Sequence, residues 1–326
     1  KRQYEFTATA QVEGSVVAIH SDRFGIRTIE VTDDWRFLLN GEQVFIRGTN
    51  VIPTLWLAEY DQAMIARDIQ QLRAANVNGV RVCVHVNRKE FYAACDEAGL
   101  LIWNDFALQW SYDDTDDFKA NAIQQIRDFV RMLYNHPSII VWACQNEPVG
   151  NRITLTPLLA AAVAEEDSTR RIVPAATFDQ HTYNGWYSGS MAEYVSVPAA
   201  PFCNEYGAQA LPNLETMQSI FDASEIWPTT QEHWEKWAYH DFQHEQTFNV
   251  AAIERGENIE TFIANSQRYQ YDLIKLSTEI YRQNKYTRMN SVFQFMFMDA
   301  WPSITWSVVD YYRRPKLGYE ALRLAF

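Results

Sequence analysis

The sequence is short of basic residues: 28 Lys and Arg stand against 41 Asp and Glu, a formal charge of −13. Affinity for nucleic acid rests on clustered Lys and Arg, so a phosphate-binding surface is excluded and a neutral or cationic substrate is favoured. No run of about 18 apolar residues occurs, which excludes a helical membrane span. No signal peptide opens the chain and the first residue is Lys, so a processed chain or a fragment is expected. CxxC spacing is also missing. Cys83, Cys95, Cys144 and Cys203 are scattered, two of them inside expected strands, which fits buried free thiols rather than a disulfide framework or a metal site. No GxGxxG turn follows a strand, which weighs against a doubly wound dinucleotide-binding sheet.

What is present is enough apolar material for a large core. The 326 residues are 47% hydrophobic and 14% aromatic, with 11 Trp, 17 Tyr and 18 Phe. Flat aromatic faces suit sugar rings, although they are also ordinary core filler. Residues 4–31 alternate apolar and polar positions and read as two or three strands. They form an N-terminal β segment, residues 1–34, that is either the end of an upstream β-sandwich or a strand pair covering one end of the next domain. From Trp35 the pattern changes. A hairpin turning at Asn40-Gly41 delivers a first strand, Val44 to Asn50.

Strands then alternate with helices. The second strand reads as Gly79 to Val86, the third as Leu100 to Phe106, the fourth as Ile139 onward and the fifth as Arg171 to Phe178. A weak sixth falls near His181 to Tyr187, a seventh ends at Glu205 and an eighth spans Ser291 to Trp301. Helices fit Asp61 to Ala75, Arg88 to Ala98 with Gly99 as its stop, Asp117 to Tyr134, Thr156 to Glu166 and Ile259 to Asn284. Eight such units over residues 35–326 predict an α/β fold, a (β/α)8 TIM barrel, with a polar, Trp-rich loop excursion at about 213–258.

Barrel enzymes keep their chemistry at the C-terminal strand ends, so the polar residues there are the site candidates. They are Arg47 and Asn50, Arg81 and His85, Asn104 and Asp105, Asn146 and Glu147, His181 and Tyr183, Asn204 and Glu205, and Asp299 and Trp301. Glu147 and Glu205 each end an apolar run and each follow an Asn. A lone glutamate there is often a helix cap or an ion-pair partner, but two on strands four and seven face each other across the barrel mouth. Cleavage of a glycosidic bond requires such a pair, one acid to protonate the leaving oxygen and one carboxylate to attack or to activate water.

FGIRTIEV, FLLNGEQVFIRGTN, NHPSIIVWACQNEP and NEYGAQALP together resemble glycoside hydrolase family 2, from about Phe24 onward. The resemblance implies a retaining exo-β-glycosidase, with Glu147 as acid/base and Glu205 as nucleophile. It implies that Asn146 holds the sugar 2-hydroxyl and that Arg81 steadies Glu205 and keeps it ionised. IWNDFALQW and DAWPSITWSVVDYYRRPK resemble the β-mannosidase and exo-glucosaminidase branch, implying Asp105 as a sugar hydroxyl acceptor and Trp301 as a platform beneath the ring. Ala300-Trp301 and Gln109-Trp110 depart from that branch, so β-galactosidase, β-glucuronidase and exo-β-glucosaminidase specificities stay open beside the expected β-mannosidase-like one, with a catalytically silent carbohydrate-binding barrel as the alternative class.

His181, Tyr183 and Trp186 are further substrate-pocket candidates. The partner is a carbohydrate, with no nucleic acid, membrane, cofactor or metal; upstream β-sandwich domains are also implied. Glu147 must carry a proton when Glu205 does not, so their pKa values are expected to diverge. His233, His240 and His244, with Asp241 and Glu245, read as a solvated loop helix rather than a metal site. Trp227, Trp234 and Trp237 either wall the pocket or pin the loop.

Overall fold

The computed structural model describes residues 3–150, 152–196 and 200–326, so the first two residues of the expected N-terminal segment lie outside it. β1 (Gln3–Val12) and β2 (Ser15–Gly25) form an antiparallel hairpin of mostly exposed residues. β3 (Ile29–Val31), β4 (Phe37–Leu39) and β5 (Glu42–Val44) make a small antiparallel sheet. The β4–β5 turn is the expected one, with Asn40 at φ 52° and Gly41 at φ 81°, the double positive φ that Asn-Gly adopts most readily. This sheet joins residues from both sides of the expected boundary at residue 34.

The barrel follows. Its strands are β6 (Ile46–Val51), β7 (Gly79–Val82), β8 (Leu101–Asp105), β9 (Ile139–Ala143), β10 (Arg171–Val173), β11 (His181–Thr182), β12 (Phe202–Cys203), β13 (Glu205–Tyr206) and β14 (Ser291–Gln294). The main sheet is parallel, ordered β10-β9-β8-β7-β6-β14-β12. β12 and β13 are one interrupted seventh strand, and β13 carries β11 in parallel with His181 opposite Glu205. The fold is therefore a TIM barrel, its ladder open between β10 and β11 among the described residues. β8 and β9 are buried along their whole length, as strands sandwiched between core and helices must be.

Around it lie α1 (Gln62–Ala74), α2 (Lys89–Ala98), α3 (Asp116–Leu133), α4 (Thr156–Glu166), α5 (Leu214–Ile220), α6 (Gln231–Tyr239), α7 (Ile259–Gln283) and α8 (Leu317–Ala325). Local chemistry explains the ends. Thr115 caps α3 by accepting from Phe118 N, and Asp116 and Asp117 complement its dipole. Gly99 closes α2 at φ 68°, a left-handed position that glycine takes without strain.

Several strands stop earlier than the apolar runs suggest. The second ends at Val82 rather than Val86, the fifth at Val173 rather than Phe178 and the eighth at Gln294 rather than Trp301. Beyond those points the chain turns toward the cavity; Met296, Phe297, Met298 and Ala300 stay buried, Val84 and Val86 are part-buried and Phe178 is exposed in the cavity lining, so composition remains apolar after the ladder has ended.

The barrel interior is layered. At its base Phe37 and Trp35 plug the end, with Trp35 stacked on Trp103 at 5.7 Å and tilted against Phe202 at 4.4 Å. Above them lies a polar layer of Thr49, Asn50, Arg81, Asp105 and Gln294, all at most 1% exposed. A buried ionic layer is costly unless every partner is in place, and here it supports the next layer. That layer is a cavity of about 1300 Å³.

Candidate active site

Glu147 follows β9, and its backbone is bent into the left-handed region at φ 43°, rare for a glutamate. Its N–H donates to Ala176 O at 2.7 Å, which fixes the bend. His181 Nδ1 lies 2.6 Å from Glu147 Oε1, and Trp110 Nε1 donates to Glu147 Oε2 at 3.0 Å. Glu205 begins β13. Arg81 Nη1 donates to Glu205 Oε1 at 2.7 Å and the Tyr183 hydroxyl to Glu205 Oε2 at 2.8 Å. His181 also spans the gap, with Nε2 3.6 Å from Glu205 Oε1. One oxygen of each carboxylate and a His181 nitrogen lie within 4.8 Å of one another.

Arg81 organises the floor. Its Nη2 reaches Asp105 Oδ2 at 2.6 Å and Asn146 Oδ1 at 2.6 Å, while Nη1 also meets Asn50 Oδ1 at 3.2 Å. Burial opposes its charge, but Asp105 and Glu205 more than offset this and hold it protonated. The trio Glu147, His181 and Glu205 is metal-like in spacing, but Arg81 already sits against Glu205, so charge balance there needs no cation.

Burial alone would raise the Glu147 pKa. The His181 hydrogen bond and charge, the Trp110 N–H and Arg81 outweigh it and hold the carboxyl below its ordinary value. This reverses the expectation of a protonated Glu147 for the unliganded site: its neighbours are donors, and donors favour the carboxylate. Burial, then Glu205, pushes the Tyr183 phenol well up, so it stays a donor. Burial lowers His85 to about 4, leaving a neutral ring whose Nδ1 contacts Cys83 O at 2.7 Å.

The cavity is lined by His85, Asn146, Glu147, His181, Tyr183 and Glu205 among the expected residues. Others are placed elsewhere. Asp105 is buried beneath the cavity as Arg81's partner rather than open to a sugar hydroxyl. Trp186 is fully buried in the core, its Nε1 donating to Gln243 Oε1 at 2.8 Å. Trp301 stacks on His240 at 4.9 Å, outside the lining, and Trp306 takes the cavity wall with Tyr183, Tyr187 and Phe295. Arg47 points to Asn76 O, and Asp299 is buried with Thr305.

The 213–258 excursion adds Asp241 and Gln243 to the lining. Low-dielectric surroundings and the charge of Asp299 push the Asp241 carboxyl up to about 6. His240 Nδ1 is engaged with Pro302 O while His244 packs on Trp234, so the histidines do not converge. Trp234 and Trp237 pack with Phe242, Phe248 and Phe262, and Trp227 lies under Arg255; these rings pin the loop. Sequence reasoning missed Trp110, Tyr187 and Trp306. Trp110 alone had a signal, because it departs from the branch pattern.

Residues 29–272 match the model for glycosyl hydrolases family 2, TIM barrel domain. The chain belongs to glycosyl hydrolase family 2. Within that family it is similar to the β-mannosidase of Capra hircus, 25% identical over 99% of this chain and 44% of the relative. β-Mannosidase B of Aspergillus terreus is also 25% identical, over 98% and 44%. The chain thus spans less than half the length of the curated relatives it matches. The crystal structure of a β-D-mannosidase from Dictyoglomus thermophilum superposes with a TM-score of 0.85 at 24% identity, covering 99% of this chain and 45% of that one. An exo-chitosanase from Amycolatopsis orientalis gives 0.79 at 19%, covering 99% and 43%. Those superpositions show the barrel fold.

Proposed function

We propose that the chain is the catalytic barrel of a retaining exo-β-glycosidase of β-mannosidase type. The carrying observation is the carboxylate pair, with oxygens of Glu147 and Glu205 within 4.8 Å. A separation of about 5 Å suits direct attack, whereas inversion needs about 6.5–9.5 Å to admit a water. In the first step Glu147, a carboxylate in the unliganded site, must take up a proton as substrate binds, and it gives that proton to the departing oxygen while Glu205 attacks the anomeric carbon; in the second Glu147 takes a proton from the water that displaces Glu205, which releases the sugar with its β configuration. Arg81 and Tyr183 hold and aim Glu205 through hydrogen bonds to its two oxygens, and on this reading Asn146, in the same lining, meets the sugar 2-hydroxyl.

The lining narrows the sugar. It carries Glu147, Asp179, Glu205 and Asp241 and, among the described residues, neither Lys nor Arg. A uronic acid has no cation to meet its carboxylate there, which disfavours glucuronides. The likeness to β-mannosidases favours mannosides; the acidic lining also favours a second reading, an exo-β-glucosaminidase taking a cationic amino sugar. A silent carbohydrate-binding barrel has no use for two carboxylates held by four donors. Nitrophenyl β-mannoside, glucosaminide, galactoside and glucuronide, assayed side by side, test the reading. Turnover of the mannoside or the glucosaminide is expected, and turnover of the glucuronide alone contradicts it.

A further inference from the structure

The loop after β8 is bound edge to edge to the loop that carries Glu147. Asn146 N donates to Leu108 O at 2.9 Å, Trp110 N to Asn146 O at 3.1 Å and Val149 N to Trp110 O at 3.1 Å. Within this clasp Trp110 and Glu147 are both left-handed, at φ 60° and φ 43°. Bulky residues hold that conformation only where the surroundings impose it, and such positions cluster at working sites.

Trp110 is 56% exposed, yet it lines the cavity and donates to Glu147 Oε2. The other oxygen, Oε1, belongs to His181, whose side chain is 2% exposed. Glu147 therefore has an inner holder and an outer one. An acid/base must touch the leaving oxygen, so whatever leaves passes beside the indole ring. Phe178 and Leu55, 62% and 66% exposed, line the same cavity.

We propose that Trp110 is a positioning residue for Glu147 and the wall of the leaving-group site, selecting leaving groups with a flat apolar face: a second pyranose or an aryl ring. This rests on the acid/base reading of Glu147. An indole N–H only donates, so it favours the Glu147 carboxylate over the acid. The charged or titratable groups facing Glu147 are His181, Arg81, Glu205, and the thiol of Cys83 and phenol of Tyr187, both pushed up and neutral. None is altered by changing Trp110.

The test compares the full chain with Trp110→Phe, which keeps a ring and loses the N–H, and Trp110→Ala, which loses both. Dinitrophenol leaves without acid help and phenol does not. For Trp110→Phe, the pH-independent plateau of kcat/KM on the phenyl glycoside of the cleaved sugar falls about tenfold while that on the dinitrophenyl glycoside stays within about twofold, as for a displaced general acid. The basic limb of kcat/KM moves up by about half to one pH unit, because losing a donor raises the Glu147 pKa. Trp110→Ala further raises KM for the phenyl glycoside.

Equal losses on both glycosides, or an unmoved limb, overturn the positioning role. A KM in Trp110→Ala no higher than in Trp110→Phe overturns the wall. The midpoint of Glu147 protonation is also read by carboxyl carbon NMR, with Glu147→Gln identifying the resonance. An upward move in Trp110→Phe is required there even if no glycoside turns over, an outcome that would count against the proposed function instead.

Discussion

Arg81 Nη1 lies 2.7 Å from Glu205 Oε1, and the guanidinium that makes this contact is fully buried. The same group ties Asp105, Asn146 and Asn50, so one side chain couples the barrel interior to the candidate nucleophile. Arg81→Ala strands two buried carboxylates, and losing one member of such a set typically costs about 3–5 kcal/mol. Chemical denaturation is expected to show that loss, with activity abolished. Arg81→Lys should fold better but stay impaired, since a point charge cannot reach all four partners.

Tyr183 donates to the second oxygen of Glu205. Tyr183→Phe removes one charge-assisted hydrogen bond, worth about 1.5–3 kcal/mol, so the melting transition is expected to fall by no more than that contribution and kcat by about ten- to hundredfold as Glu205 loses its aim. Steady-state kinetics beside a thermal melt checks this.

Glu147 as acid/base makes a chemical prediction. Glu147→Ala should still attack a dinitrophenyl glycoside, then stall at the covalent intermediate for want of a base. Added azide should restore turnover about tenfold or more, releasing a β-glycosyl azide. Glu205→Ala should yield no β-azide. Product analysis distinguishes the two variants.

Asp167 controls stability rather than chemistry. Burial opposes its charge, but hydrogen bonds from Thr169, Trp142 and Arg170 outweigh this and lower it to about 2. A depressed carboxylate stabilises the fold above its unfolded pKa of about 3.9 and loses that contribution as pH falls through about 2. Asp167→Asn should cost about 2–3 kcal/mol at neutral pH and progressively less between about pH 4 and 2. Denaturation across that range measures the difference.

The barrel was legible because its units repeat: apolar strands, periodic helices and stops such as Gly99 need only local rules. The meeting of Glu147 and Glu205 at one cavity was legible because a carboxylate ending a buried strand is expensive. The choice between Trp301 and Trp306 was not, since both lie beyond the last ladder residue, Gln294, where no periodicity tells which ring faces the cavity. Asp105 was misassigned for a different reason. A strand-end aspartate can face a ligand or a neighbouring strand's arginine, and only the register of β8 against β7 decides. The lowered pKa of Glu147 depends first on His181, 34 positions away, and then on Trp110, 37 positions away, through contacts no sequence window contains.

The central claim is double displacement at the Glu147 and Glu205 pair. Proton NMR of the first sugar released from the cleaved β-glycoside, recorded before mutarotation, tests it most directly. The β anomer is predicted to appear first; the α anomer appearing first contradicts the account.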